Sequence, residues 1–267
     1  MADPRHAFYR SVLEQLLAAG VVRRDHELHV AAGGRADRDV LHELGFADVT
    51  ISNLDEREQA AGLEPYAWRH EDLEALSLAD ASVDVAIVAA GLHHCRSPHR
   101  ALLELYRVAR VAVVAIESRD SALMRLAAHL RLADDYELAA VAAHGLRAGG
   151  VANSAIPNYV YRWTEREVAK TVASFAPHVR HRFHWFRAFE LPDLLVDGVR
   201  GPRRLALRAL RPAAAMLTRV LPRQANLFAF AIEKPQVPRD LQPWLRLDAG
   251  AVAPDERAFA ARYRIER

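Results

Sequence analysis

The residues able to do chemistry fall mainly in one stretch, Leu28 to His94. An apolar run, Leu28–Ala31, leads into the glycine pair Gly33-Gly34, and Asp37 follows. A second run, Val49–Ser52, is followed by Asn53, Leu54 and Asp55. Asp72 and Leu73 come next, and a third run, Val83–Ala89, stops at Ala90-Gly91 before Leu92-His93-His94. Glycine allows a close approach of backbone to a ligand. A carboxylate only accepts hydrogen bonds and can take two hydroxyl protons at once. A neutral imidazole can accept a proton at pH 7. A glycine turn, an acid, a second acid and a small-residue turn, in this order, gather a nucleoside-like ligand at the carboxyl ends of parallel strands. Glu117 ends a further apolar run, Val111–Ile116, and points to the same cleft. It has two readings, one orienting a substrate hydroxyl and the other capping the next helix.

These residues need strands and helices in alternation to hold them. Tyr9, Val12, Leu13, Leu16 and Leu17 have helical spacing over Phe8–Ala19, and Gly20 supplies a stop. Strands are expected at Glu27–Ala32, Val49–Ser52, Trp68–Asp72, Val83–Ala89 and Val111–Ile116. Helices are expected from Asp37 to Leu44, ended by Gly45, and from Ser97-Pro98 through Arg107. This alternation predicts an α/β fold with right-handed crossovers. After Glu117 the rhythm changes. One or two helices are expected over Ser121–Ala143, a break at Gly149-Gly150, and a helix opened by a capping box from Thr164 to Glu167. His181–Phe189 and Leu227–Ile232 read as two more strands. The expected layout is a core over 1–118, a helical cap over 119–180, the last strands with a basic helical segment over 181–234, and a surface tail over 235–267.

The basic segment, Gly198 to Arg223, carries Arg200, Arg203, Arg204, Arg208, Arg211, Arg219 and Arg223 with no acid, and Pro212 should kink or split its helix. It reads as a core-packed helix, a lid or dimer contact beside the cleft, or an interfacial helix drawn to anionic lipid. The first reading is preferred. With 267 residues, 51% of them hydrophobic, the chain can bury a sizeable core, and a net charge of +2 does not argue for a nucleic-acid partner. Cys95 is the single cysteine, so neither a disulfide nor a cysteine-based zinc site forms within one chain. It is expected to be a small buried hydrophobe. With no signal peptide and no long apolar span, a cytoplasmic protein without integral membrane association is expected. Two histidine stretches could suggest a metal, His178 with His181 and His184, and the pair His93-His94, but Arg180, Arg182 and Arg187 crowd the first, so no metal site is expected and chelators should have no effect. The aromatic stretch from Asn158 through Trp163 offers Tyr159, Tyr161 and Arg162 either to a substrate or to packing of the cap.

Together, the segment from Glu27 to Ser118 resembles the class I S-adenosylmethionine-dependent methyltransferases, in particular a broad small-molecule group with a Leu-His-His turn after the fourth strand. The resemblance implies a Rossmann-like seven-stranded, mostly parallel sheet with helices on both faces and a helical cap insertion. It implies that S-adenosylmethionine lies across Ala31, Gly33, Gly34, Asp37, Asn53, Leu54, Asp55, Asp72, Leu73, Ala90 and Gly91. Asp55 would bind the ribose hydroxyls, Asp72 and the Leu73 amide the adenine, and Asp37 the cofactor's ammonium. Several positions depart from the family pattern. The usual acid is replaced by His29 or displaced to Glu27, the first glycine is Ala31, the third is Arg35, and the Pro-Gly-Gly turn before the fifth strand is missing. His94 or His93 would be the base, and O-methylation of a small molecule is the expected reaction. A homodimer is left open. The alternatives are a protein that kept the fold without the cofactor and, less favoured, a dinucleotide-dependent oxidoreductase, for which Gly-x-Gly-x-x-Gly is missing.

Overall fold

The computed structural model describes residues 4–57, 62–189 and 202–265. Seven strands form one sheet: β1 (Leu28–Ala31), β2 (Val49–Asn53), β3 (Ala67–His70), β4 (Val83–Ala89), β5 (Ala109–Ser118), β6 (Arg182–Ala188) and β7 (Leu227–Glu233). Their order is β3-β2-β1-β4-β5-β7-β6, with β7 antiparallel to both of its neighbours and the other pairs parallel. The first five strands lie close to their expected bounds. β5 begins at Ala109, directly after the helix α3 (Pro98–Val108), so the expected short join is what forms.

Strand periodicity builds two cores from the same strands. Leu28, Val30, Val85, Ile87, Val114 and Ala231 face one side, where they meet Val12, Leu13 and Leu16 of α1 (Pro4–Ala18) and Val40 and Leu41 of α2 (Arg35–Glu43). Ala86, Val88, Val113, Ala115, Phe228 and Phe230 face the other. There they meet Leu102 and Leu105 of α3 and Val168 and Val172 of α6 (Glu165–Phe175). Alternation in the central strands therefore makes a three-layer sandwich, and the carboxyl ends of β1–β5 emerge between the layers.

The cap follows β5. It contains α4 (Ala122–His129), α5 (Leu138–Ala143) and α6, and the capping box of Thr164 and Glu167 forms as expected. Arg119, buried after the end of β5, pins the cap to the sheet. Its Nη2 donates to Glu165 Oε2 at 2.7 Å and its Nε to the Arg223 carbonyl at 2.8 Å. Arg187 of β6 donates to the other oxygen of Glu165 at 2.9 Å.

The basic helix α7 (Pro202–Val220) runs through Pro212 unsplit, which corrects the expected split. Among its described side chains Leu205, Met216, Leu217 and Val220 are exposed and Thr218 is buried, while Leu207 and Leu210 lie outside the described side chains. Arg200 and the side chains of Arg203, Arg204 and Arg211 lie outside the described residues. The tail, expected on the surface, folds into a hairpin of β8 (Leu245–Asp248) and β9 (Ala251–Pro254), followed by α8 (Glu256–Ala260).

Asp37 is buried beneath Tyr9 where α1 meets α2, and its Oδ2 accepts the Gly34 N–H at 2.9 Å. Asp37 Oδ1 and the Tyr9 hydroxyl lack well-formed partners among the described residues. Burial raises the Asp37 pKa to about 6, against the pull of the Gly34 amide. A pKa raised on folding favours the folded state below the unfolded value near 3.8 and loses that contribution as pH rises through about 6. The ionised form should cost on the order of 2–3 kcal/mol at pH 8. Asp37→Asn should therefore raise stability in urea at pH 8 and give little difference near pH 4. An equal effect at both pH values would show that Asp37 is not the titrating group. For the cap clamp, Glu165→Ala leaves a buried guanidinium uncompensated. It should destabilise by about 3 kcal/mol, the lower end for a broken buried pair, as Glu165 is partly exposed. A loss below 1 kcal/mol would reduce the pair to surface decoration.

Candidate functional site

The turn after β1 is built for close packing. Ala32 has φ +52° and Ala90, after β4, has φ +55°, so both turns enter the left-handed region without glycine. Gly91 lets the two turns approach each other. A Cβ there would sit 2.7 Å from Ala32 Cβ and 2.7 Å from Val88 Cγ2. Gly33 is as constrained, since a Cβ would lie 2.8 Å from Val30 Cγ1. Ala31 is buried under this junction. His29 stands where an acid was expected. Its Nε2 is 3.0 Å from Ser52 Oγ, and burial lowers its pKa to about 4, so it is uncharged at neutral pH.

Asn53 ends β2, and Asp55, Asp72 and Leu73 lie on loops leaving this edge of the sheet. Asn53 Nδ2 donates to the Gly33 carbonyl at 2.9 Å, and its Oδ1 accepts the Asp55 N–H at 2.9 Å. Asn53 thus joins the glycine turn to the β2 loop. Asp55 is paired with Arg57, whose guanidinium is the first cause holding its carboxyl below the ordinary range. Leu54 contributes its carbonyl to His70 Nε2 at 3.2 Å. Asp72 is exposed and Leu73 is buried. Asp72 Oδ1 accepts the Glu74 N–H, while Glu74 in turn accepts the backbone N–H groups of Arg96 and Ser97 at 2.8 and 3.0 Å. The loop after β3 is thereby tied to the turn after β4. Asp37, expected at the cofactor's ammonium, is instead packed under Tyr9 as described above.

The histidine pair is organised by two carboxylates. Glu117 is completely buried, and its Oε1 accepts the Leu92 N–H at 2.8 Å while its Oε2 lies 2.8 Å from His93 Nδ1. Glu117 therefore neither caps a helix nor stands free for a substrate; it fixes the His93 ring. On the other side, Glu137 Oε2 lies 3.3 Å from His93 Nε2 and 3.4 Å from His94 Nε2. Burial disfavours a charge on His93, but Glu117 and Glu137 outweigh it and raise its pKa to about 10. The hydrogen bond from His93 leads the causes that bring Glu137 down to about 2. A proton acceptor at pH 7 is thus not available at His93, contrary to the expectation. His94 behaves in the opposite way, since burial first and the His93 charge second lower its pKa, leaving it neutral. Cys95 is half-buried rather than buried as expected, and burial pushes its thiol pKa up.

Two cavities adjoin this group, separated by Tyr159 and Tyr161. The one beside the turn has a volume of about 290 Å³ and is lined by His93, Cys95, Arg96, Asn158 and both tyrosines, among others. The other, about 480 Å³, is lined by Arg162, Asp135, His129 and Glu167 together with the same tyrosines. Arg162 is held by Asp135 at 2.8 Å and the Asp134 carbonyl at 2.6 Å. Tyr161 donates to Glu167 Oε1 at 2.9 Å, and burial leads the causes raising its pKa to about 12. Asn158 is buried, its Nδ2 donates to Glu137 Oε2 at 3.3 Å, and its Oδ1 has no partner among the described residues.

Sequence reasoning missed Glu137 and Asn158, which stand on the cap far along the chain from the histidines. It also set metal aside, whereas His93, His94 and Glu137 bring ligand atoms within 4.8 Å of one another. His181 and His184 do not form a cluster. His181 Nε2 pairs with the Tyr106 hydroxyl at 2.8 Å and His184 Nε2 with Glu233 at 2.7 Å.

A family model for a methyltransferase domain matches residues 28–116. No curated protein matches the chain. Among solved structures, the YcgJ protein of Bacillus subtilis is similar with a TM-score of 0.53 at 13% identity, covering 85% of this chain and 99% of its own. An S-adenosylmethionine-dependent methyltransferase of Mesorhizobium loti is similar with a TM-score of 0.50 at 13% identity, covering 83% of this chain and 97% of its own. At such identities these likenesses speak for the fold, and the domain match speaks for the chemistry. With its glycine turn, its loop acids and its Leu-His-His turn all on the matched segment, the chain carries a methyltransferase domain over residues 28–116, on a sheet with the fold of these solved structures.

Proposed function

We propose that the chain methylates an oxygen of a small molecule held in the 290 Å³ cavity beside the Leu92–His94 turn. The observation that carries this reading is the unpartnered Oδ1 of buried Asn158 in the cavity wall, next to the histidine pair. A buried carbonyl oxygen without a donor is costly, and an acceptor hydroxyl would satisfy it.

The residues at the strand ends fit the cofactor by their chemistry. Asp55, a mostly buried carboxylate at the end of β2, offers two acceptor oxygens to ribose hydroxyls once Arg57 turns aside. Asp72 offers an exposed carboxylate to an amino group. Ala31, Ala90 and Gly91 keep bulk away from the junction of the two turns. Bound S-adenosylmethionine supplies an already activated methyl group. The chain's own task is to position the acceptor and take its proton. Positioning can be worth roughly 7–11 kcal/mol when the geometry is near attack. His94 takes the proton, since it is neutral, half-buried and next to the cavity-lining His93. His93, held as a cation between Glu117 and Glu137, keeps the turn in place. Tyr159 and Tyr161 form the wall against which an acceptor ring or chain packs.

Two outcomes are expected. Asp55→Ala removes charge-assisted bonds worth roughly 1.5–3 kcal/mol each, so calorimetry should show S-adenosylmethionine affinity falling at least tenfold. Unchanged affinity would remove Asp55 from the cofactor site. His94→Ala should lower turnover by about two to four decades with cofactor affinity little changed. In the wild-type protein, turnover should rise with pH through a pKa below the ordinary histidine value of 6.5, and that limb should vanish in His94→Ala. A limb that persists in the variant would assign the proton to another group.

A further inference from the structure

We infer that His93, His94 and Glu137 form a binding site for a divalent transition metal ion of the zinc class, completed by a fourth position facing the cavity. His93 Nε2 and His94 Nε2 stand 3.3 and 3.4 Å from the same oxygen, Glu137 Oε2. A tetrahedral ion with bonds of about 2.0–2.1 Å spaces its ligand atoms about 3.3 Å apart. Two of the three separations are therefore already those such an ion imposes, the third lies within 4.8 Å, and the two rings stand side by side, 4.6 Å apart and tilted by 35°.

The surroundings support the ligand set. His93 presents Nε2 inward because its Nδ1 is held at 2.8 Å by Glu117, whose other oxygen accepts the Leu92 N–H. A carboxylate behind a histidine is the arrangement that orients metal-bound imidazoles. Glu137 is held in turn by Asn158 Nδ2 at 3.3 Å. Asn158 Oδ1, buried and without a partner among the described residues, is an acceptor for a water or hydroxyl bound at the fourth position. Two imidazoles and one carboxylate suit zinc, cobalt, iron or manganese, whereas calcium and magnesium prefer more oxygen ligands. The ligands come from the core turn and the cap, so an ion would also fasten the cap over the cavity.

The inference does not rest on the methyl-transfer reading, because uptake is measured without cofactor or acceptor. In the loaded state the ion displaces the Nε2 proton of His93 to solvent, His94 is a ligand, and activating an acceptor hydroxyl falls to the ion rather than to the imidazole. Tag-free full-length protein is stripped with EDTA, dialysed, and titrated with Co2+ while its visible spectrum is followed. Bound metal is counted by elemental analysis after gel filtration. Wild-type protein should retain one equivalent, with the intense visible bands of a four-coordinate site that Zn2+ displaces. His94→Gln and Glu137→Gln, each shown folded by circular dichroism, should lose that equivalent and those bands. Either variant alone suffices if the other does not fold. Retention of no ion by the wild type, or of the same ion by a folded variant, would overturn the inference.

Discussion

The structure around the cleft depends on one carboxylate with no contact with water. Glu117, near the end of β5, accepts the Leu92 N–H with one oxygen and faces His93 Nδ1 with the other. An isolated buried charge of this kind is prohibitive, so its two partners are obligatory rather than decorative. The turn after β4 consequently cannot move without exposing or stranding that charge. Glu137 extends the arrangement outward, and the cap is positioned by the same electrostatics that hold the turn.

The cap is joined to the sheet in two places of like design. At the cavity, a buried imidazole stands between Glu117 of the sheet and Glu137 of the cap. At the base, the buried guanidinium of Arg119 pairs with Glu165 of the cap and stacks over Phe228 of β7, 5.0 Å from its ring centre. In both, a cation from the core is neutralised by an acid from the insertion. A hydrophobic seam would allow sliding, whereas charge-assisted hydrogen bonds fix one geometry. That suits an insertion whose Tyr159 and Tyr161 line both cavities.

Much of the core was legible because β1, β4 and β5 are apolar on both faces, which is what burial between two helical layers demands. Gly45 with φ +78° and the Thr164–Glu167 box ended and opened their helices by local rules that need no tertiary context. The site was legible only as far as local spacing reaches. Which of His93 and His94 is charged depends first on Glu117 and then on Glu137, and nothing in the turn's own sequence indicates that Glu137 stands beside it. The same holds for Asp55, whose pairing with Arg57 limits its availability to a ligand. The terminal hairpin was missed although its turn, Ala249-Gly250, has positive φ at both residues, the geometry of a two-residue hairpin loop. Ala in place of the usual Asn or Asp hid the signal.

The departures in the glycine turn have a packing explanation. Ala32 adopts φ +52° where glycine would be relaxed, and its Cβ occupies the space that Gly91 leaves open. The strain of a left-handed alanine is of the order of 1 kcal/mol, and close contact between the two turns offsets it. His29 follows the same logic. An acid at that buried position would need compensating donors, while a neutral imidazole carries no charge to compensate and pairs its Nε2 with the Ser52 hydroxyl. With the β1 position uncharged and Asp37 packed under Tyr9, the carboxylates left at this edge of the sheet are those on the loops after β2 and β3. The negative charge that an acid would place on β1 is thus carried at this edge by loop residues such as Asp55 and Asp72.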